Sequence, residues 1–167
     1  MKETIKPSIS LQNIILLDIA VLAFIYYVPA MVHGYSFPIY YCEPMRLSLF
    51  VSIFILGENK KNTYFLALTL PIFSYMISGH PVAMKNVIMT VELLTNVFLL
   101  YYLSNMRLNR FVSCFASIAV SKLLYYGMKY ALIRAGILKT GVIDTPLAIQ
   151  LVLTTILSFI FIITYKR

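Results

Sequence analysis

Charged and amide side chains interrupt an otherwise apolar part of the sequence at residues 79–96. At about 100° per residue, Lys85, Glu92 and Asn96 share one face of a helix. Ionisable groups inside a membrane-spanning helix are costly and seldom face lipid, so this polar face indicates a functional site. Two other interpretations stay open, namely a structural ion pair and a lysine that extends along the helix to the lipid head groups.

A second apolar stretch carries Lys122 and Lys129, seven residues apart and on one helix face, with Tyr126 between them in sequence. A helix rises about 1.5 Å per residue, so depth can be counted from the predicted helix ends. The count places Glu92 at the level of Lys122, and Lys85 at the level of Lys129. We therefore predict that Glu92 and Lys122 form a buried ion pair.

This pairing leaves Arg46, Lys85 and Lys129 as an excess of positive charge, of which Glu43 can neutralise one. Cations around a cavity favour an anionic ligand such as a carboxylate or a phosphate. The alternative for Arg46 and Lys85 is extension to the head groups. The predicted substrate-binding residues are Arg46, His80, Lys85, Glu92, Asn96, Lys122, Tyr126 and Lys129.

Other tyrosines surround the same region, namely Tyr40, Tyr41, Tyr125 and Tyr130. They could stack on a ring-bearing ligand or form the aromatic belt of a membrane interface.

Neither histidine has a second ligand that would indicate a metal site. Ser74 lies near His80, but no Gly-x-Ser turn of a serine hydrolase is present. Cys42 and Cys114 lack metal-ligand spacing. We predict no catalytic residue, metal or cofactor.

The composition points to a membrane protein. Of the 167 residues, 60% are hydrophobic and only 12% are charged, against roughly 25% charged in a soluble domain. A soluble fold of this size could not bury so much apolar surface. The net charge of +8 would suggest nucleic-acid binding in a soluble protein, but here the basic residues lie inside or at the edges of apolar segments, so nucleic acid is rejected as a partner.

The apolar segments predict one all-α membrane domain over residues 1–167, with six spans in the lipid bilayer at 14–32, 39–56, 63–78, 82–104, 111–134 and 147–165. Pro71 is expected to interrupt the third span. Eight lysines and arginines lie on the side of the N-terminus and two on the other side. Both termini should therefore be cytoplasmic, and the loops at 33–43, 79–81 and 135–146 should face outward.

Residues 70–81 (LPIFSYMISGHP), followed by Glu92-Leu93, resemble the substrate-binding S component of energy-coupling-factor (ECF) transporters. Members of that family often show a Pro-x-x-Ser stretch, a small-Gly-x-Pro turn and a later Glu-Leu pair. Residues 44–46, ahead of an apolar run, are also similar. The motifs cover about fifty residues, and the six spans extend the likeness to the whole chain.

The resemblance implies capture of a vitamin-like micronutrient from outside, in a pocket built from the outer loops and spans four to six. It also implies two kinds of partner, a membrane coupling subunit and two ATPases that drive uptake. The family often carries an Ala-x-x-x-Ala surface in span one, whereas here Ala20 and Ala23 are three apart and Asp18 lies nearby. Two alternatives remain open, a scaffold or assembly factor of a cell-envelope machine and a small intramembrane enzyme.

Overall fold

The computed structural model describes residues 10–34, 43–56, 59–79, 82–106, 108–143 and 145–164. Across these ranges the chain forms six α-helices and no strand, which confirms the predicted all-α fold. The helices are α1 (Leu11–Gly34), α2 (Pro44–Leu56), α3 (Lys60–Ser78), α4 (Ala83–Asn105), α5 (Arg110–Arg134) and α6 (Leu147–Thr164). The second helix begins at Pro44, and the start predicted for it at residue 39 lies outside the described residues.

Four of these helices are long and apolar enough to cross a membrane, namely α1 over Leu11–Pro29, α4, α5 and α6. Their outward faces carry large apolar side chains, such as Leu16, Leu123 and Ile163, each more than two-thirds exposed. Patches of this kind are rare on soluble monomers and suit contact with lipid tails. The chain is therefore a multi-pass membrane protein.

The short helix α2 packs one face into the core of the bundle and leaves Val51 and Ile55 exposed on the other. It has 13 residues, or about 20 Å at 1.5 Å per residue, which is less than a bilayer core of about 30 Å. Its side chains Leu49, Phe50 and Ile53 are almost completely buried. They form one core with apolar residues of the other helices, among them Leu66, Leu70, Val97, Leu100, Ile118 and Phe161. The start of α2, with its charged residues, is thereby held within the protein.

Helices α4 and α5 are antiparallel and joined by the short connection at residues 106–109. Ser117 Oγ lies 3.4 Å from Asn96 Oδ1, and Lys122 Nζ lies 3.7 Å from Glu92 Oε1. Both contacts follow from a single register of the two helices. The predicted match in depth between Glu92 and Lys122 is confirmed.

Local signals in the turns explain where two helices begin. The Asn59 side chain accepts a hydrogen bond from the backbone N–H of Asn62 at 3.3 Å and caps α3. In the same way, Asn109 accepts from the N–H of Phe111 at 2.9 Å and caps α5. Such caps satisfy backbone donors that have no partner within the helix.

Helix α3 continues through Pro71, so the predicted interruption is wrong. Proline removes one backbone hydrogen bond, which neighbouring helices and side chains can offset inside a membrane protein. The helix ends instead at Ser78, and Gly79 caps it with a φ of 64° that is accessible to glycine at little cost.

The orientation of the bundle can be tested by cysteine labelling. Lys139 and Lys60 are both exposed and lie at opposite ends of the bundle. A membrane-impermeant maleimide should label Lys139→Cys in intact cells, and should label Lys60→Cys only after permeabilisation. The wild-type chain measures the background from Cys42 and Cys114. The reverse pattern would contradict the predicted cytoplasmic termini.

Candidate ligand-binding cavity

A cavity of about 410 Å³ lies at one end of the bundle. Its volume is within the range typical of small-molecule sites, about 300–1,000 Å³. It is lined by the second half of α1, the start of α2, Ser74 near the end of α3, the first half of α4, the second half of α5, and Thr145 before α6. These segments all lie next to the connections that the sequence predicts to face outward.

Four charged side chains form a closed ring in the lining of the cavity. Arg46 donates through Nη1 to Glu43 Oε2 at 2.6 Å and through Nη2 to Glu92 Oε1. Lys122 donates to Glu43 Oε1 and lies 3.7 Å from Glu92 Oε1. Positive and negative groups therefore alternate around the ring, and each carboxylate contacts two cations. The ring joins the start of α2 to α4 and α5.

The ring compensates charges that are largely removed from solvent. The side chains of Arg46 and Glu92 are only 4% and 7% exposed. Transfer of a single charge into such an environment costs several kcal/mol of desolvation free energy. The attraction between well-oriented ion-pair partners offsets about this much. The four groups thus stabilise one another only as a set, and loss of one member leaves a buried charge without compensation.

For these charges, the predicted contact between Glu92 and Lys122 is confirmed, whereas the predicted excess charge of Arg46 is wrong. The predicted contact between Glu92 and Lys122 is present, but Glu92 makes its direct hydrogen bond with Arg46. Arg46 is therefore not part of a positive excess, because it is bonded to two carboxylates. Glu43 takes the neutralising role that its position suggested.

Glu43 is held in an unusual backbone conformation. Its φ is 51°, in the left-handed region that non-glycine residues rarely adopt, which costs of order 1–3 kcal/mol. Its carboxylate accepts hydrogen bonds from both Arg46 and Lys122. These ion pairs hold the strained backbone of Glu43 in place.

Lys85 and Lys129 both line the cavity, as predicted. Lys129 is fully buried within the protein, so extension to the head groups is not the conformation it adopts. The Nζ atoms of Lys122 and Lys129 each lie 6.0 Å from the centre of the Tyr125 ring. This distance is at the limit of a cation–π interaction. The Tyr125 ring thus lies near both Lys122 and Lys129.

Tyr126 also lines the cavity, and its ring packs edge-on against Tyr125 with centroids 5.4 Å apart. Its hydroxyl accepts a hydrogen bond from Gln150 Nε2, which also donates to the carbonyl of Thr145 at 2.8 Å. These bonds fasten the start of α6 to the cavity wall. Gln150 was missed, although a single amide at the start of an apolar helix is a signal that could have indicated it.

The connection between α5 and α6 folds back beside the cavity. Helix α5 ends in a Schellman motif in which Gly136 has a φ of 73° and the N–H groups of Gly136 and Ile137 bond to carbonyls of the last turn. Leu138 then packs in a small apolar cluster with Ile88 and Tyr125. Packing of Leu138 there supports Tyr125 in its position beside the lysines.

Two predicted residues are not part of the described lining. Asn96 is buried between α4 and α5, where Ser117 contacts it, and does not line the cavity. His80, with its suggested proximity to Ser74, lies outside the described residues, as do Tyr40 and Tyr41. Within the described ranges, no group of three or more His, Cys, Asp or Glu side chains is placed to hold a metal ion.

Helix α1 contributes a wall that the sequence analysis did not predict. Ile25, Val28 and Pro29 line the cavity, and Met45 of α2 lies beside them. In a helix that is apolar on all sides, the sequence has no periodic pattern that distinguishes residues facing a cavity from residues facing lipid. The described lining therefore includes α1, which holds none of the predicted substrate-binding residues, and no residue of the α6 helix itself, although the resemblance implied a pocket built from the outer loops and spans four to six.

Comparisons of the chain with family models, with curated proteins and with solved structures each gave no match. The cavity and its charges are accordingly the basis for inferring a function.

Proposed function

We propose that the protein is the substrate-binding subunit of an ECF-type transporter in the cytoplasmic membrane of a prokaryote. It captures a small anionic, vitamin-like micronutrient from outside. A membrane coupling subunit and two ATPase subunits then drive its uptake. The observation that carries this proposal is the cavity of about 410 Å³ at the end of the bundle where the predicted outward loops lie.

The charges of the lining support an anionic ligand. Among the described lining residues, four side chains are cationic and two are carboxylates. Besides the ring of Glu43, Arg46, Glu92 and Lys122, the lining carries the ammonium groups of Lys85 and Lys129. An ammonium group forms charge-assisted hydrogen bonds with carboxylate and phosphate oxygens, which are about twice as strong as neutral ones.

The same features favour a binding subunit over the two alternatives. A scaffold needs an interaction surface but no cavity of ligand size. An intramembrane enzyme needs a group ready to transfer a proton or attack a substrate, whereas Glu43 and Glu92 are each held between two cations. Carboxylates fixed in this way are better suited to holding a binding site together than to transferring protons in acid–base catalysis.

Native mass spectrometry of gently purified protein tests the proposal. We expect a co-purified small anion, present with the wild type and with the control Lys139→Met but reduced with Lys129→Met. Lys139 is a suitable control because it is exposed and outside the lining. Purification from native cells should also recover a membrane protein and two ATPase subunits. A neutral or cationic ligand would contradict the anion site, and recovery without ATPases would contradict the ECF assignment.

A further inference from the structure

The two carboxylates of the charged ring are carried by different kinds of segment. Glu92 lies near the middle of α4, so its position is fixed by helix on either side. Glu43 comes immediately before α2, and its backbone carbonyl accepts a hydrogen bond from the N–H of Leu47 in the first turn, at 3.0 Å. Rotation of the Glu43 side chain would therefore move its carboxylate without breaking a helix.

Glu43 also lies on the more accessible side of the ring. The side chains of Glu43 and Lys122 are 17% and 16% exposed, whereas those of Arg46 and Glu92 are 4% and 7% exposed. All four line the cavity. A ligand in the cavity can thus reach the carboxylate of Glu43 more readily than that of Glu92.

We propose that Glu43 occupies a carboxylate subsite of the cavity, and that a carboxylate group of the ligand takes its place between Arg46 and Lys122. This inference rests on the proposed function and specifies where an anionic group of the ligand binds. Glu43 itself shows which group fits, because one of its oxygens accepts from Arg46 Nη1 and the other from Lys122. The two oxygens of a ligand carboxylate would accept from the same two cations.

The charges of the ring favour exchange of one carboxylate for another. Such an exchange preserves the alternation of positive and negative groups, whereas a neutral ligand in the same place would leave a buried cation without compensation. In addition, Arg46 Nε is buried and has no hydrogen-bond partner within the described residues. The guanidinium therefore has a donor beyond those that Glu43 and Glu92 use.

The backbone of Glu43 favours the exchange as well. Its left-handed φ of 51° has a conformational cost, and release of the side chain from the ring allows the chain to relieve it. An internal carboxylate also lowers the apparent affinity for the ligand, since the ligand binds only to the fraction of molecules in which the subsite is open. Removal of the Glu43 carboxylate should consequently strengthen ligand binding.

Propanoate is the probe for this subsite, because it has the carbon chain of the glutamate side chain. Its dissociation constant is obtained in lipid nanodiscs from the rise of the melting temperature with concentration, at constant ionic strength. Glu43→Gln should bind propanoate about tenfold to a hundredfold more tightly than the wild type, the range for one charge-assisted hydrogen bond. Neutral propanamide should show no such gain.

Two further variants separate displacement of Glu43 from a general effect of charge. Glu43→Asp keeps the charge, but its shorter side chain reaches the two cations less well, so it should also bind propanoate more tightly than the wild type, by a smaller factor. Glu92→Gln removes the same charge as Glu43→Gln and should show no comparable gain, because Glu43 still lies between Arg46 and Lys122. If Glu43→Gln does not fold, the comparison of Glu43→Asp with the wild type decides.

Three results would overturn the inference. Equal affinities in the wild type, Glu43→Gln and Glu43→Asp would show that Glu43 does not compete with the ligand. Equal gains in Glu43→Gln and Glu92→Gln, with none in Glu43→Asp, would show an effect of net charge. Absence of propanoate binding in all of these proteins would rule out the subsite, while the proposed function would still be decided by the co-purified molecule.

Discussion

Arg46→Met is expected to lower the free energy of unfolding by about 3–5 kcal/mol, the cost of removing one partner from a buried ion pair. Arg46 bonds to both carboxylates of the ring. Without it, Glu43 and Glu92 share Lys122 alone in a site that is largely closed to solvent. Unfolding in denaturing detergent, followed by circular dichroism, measures the change.

Arg134→Met is a matched control. Arg134 is exposed near the end of α5, where its Nε donates to the hydroxyl of Tyr130 at 2.8 Å. A surface change of this kind should alter stability by no more than about 0.5 kcal/mol. Equal effects of the two substitutions would show that the ring contributes nothing to the fold.

Double variants identify the partner of Glu92. Glu92→Gln combined with Arg46→Met should be less destabilising than the sum of the two single changes, with a coupling energy of about 0.5–3 kcal/mol. Coupling between Glu92 and Lys122 should be smaller, because these groups are 3.7 Å apart whereas Arg46 bonds to Glu92 directly. Strict additivity for Glu92 and Arg46 would contradict the ring.

Lys129→Met should reduce ligand affinity about tenfold to a hundredfold, the loss of one charge-assisted hydrogen bond of about 1.5–3 kcal/mol. Lys129 is the sharpest choice among the lysines of the cavity because it is fully buried and cannot act from the head groups. The probe is the anion found by native mass spectrometry, titrated calorimetrically in nanodiscs.

The control for this second prediction is Lys139→Met, which removes the same charge from the connection between α5 and α6 at an exposed position. The melting temperature of each variant is measured first, so that weaker binding is compared only among folded proteins. Unchanged affinity in Lys129→Met would show that Lys129 stabilises the fold and that the ligand is recognised elsewhere.

The sequence by itself determined the helices and the depth of the charges along them. Apolar runs predict where helices form, because that signal acts within a short stretch of sequence. A fixed rise per residue and a short connection then place Glu92 level with Lys122. Depth along a helix follows from counting, so this contact could be predicted without a structure.

Only the tertiary structure decided which side chains meet around the cavity. Arg46 is 46 residues from Glu92, and their bond depends on how α2 packs against the other helices. Val28 of α1 lines the cavity, whereas Phe24 of the same helix is exposed, a difference that hydrophobicity does not encode. Asn96 shares a helix face with Glu92 and yet packs against Ser117. Periodicity defines the face of one helix, but the partner of that face is set by how all six helices pack together.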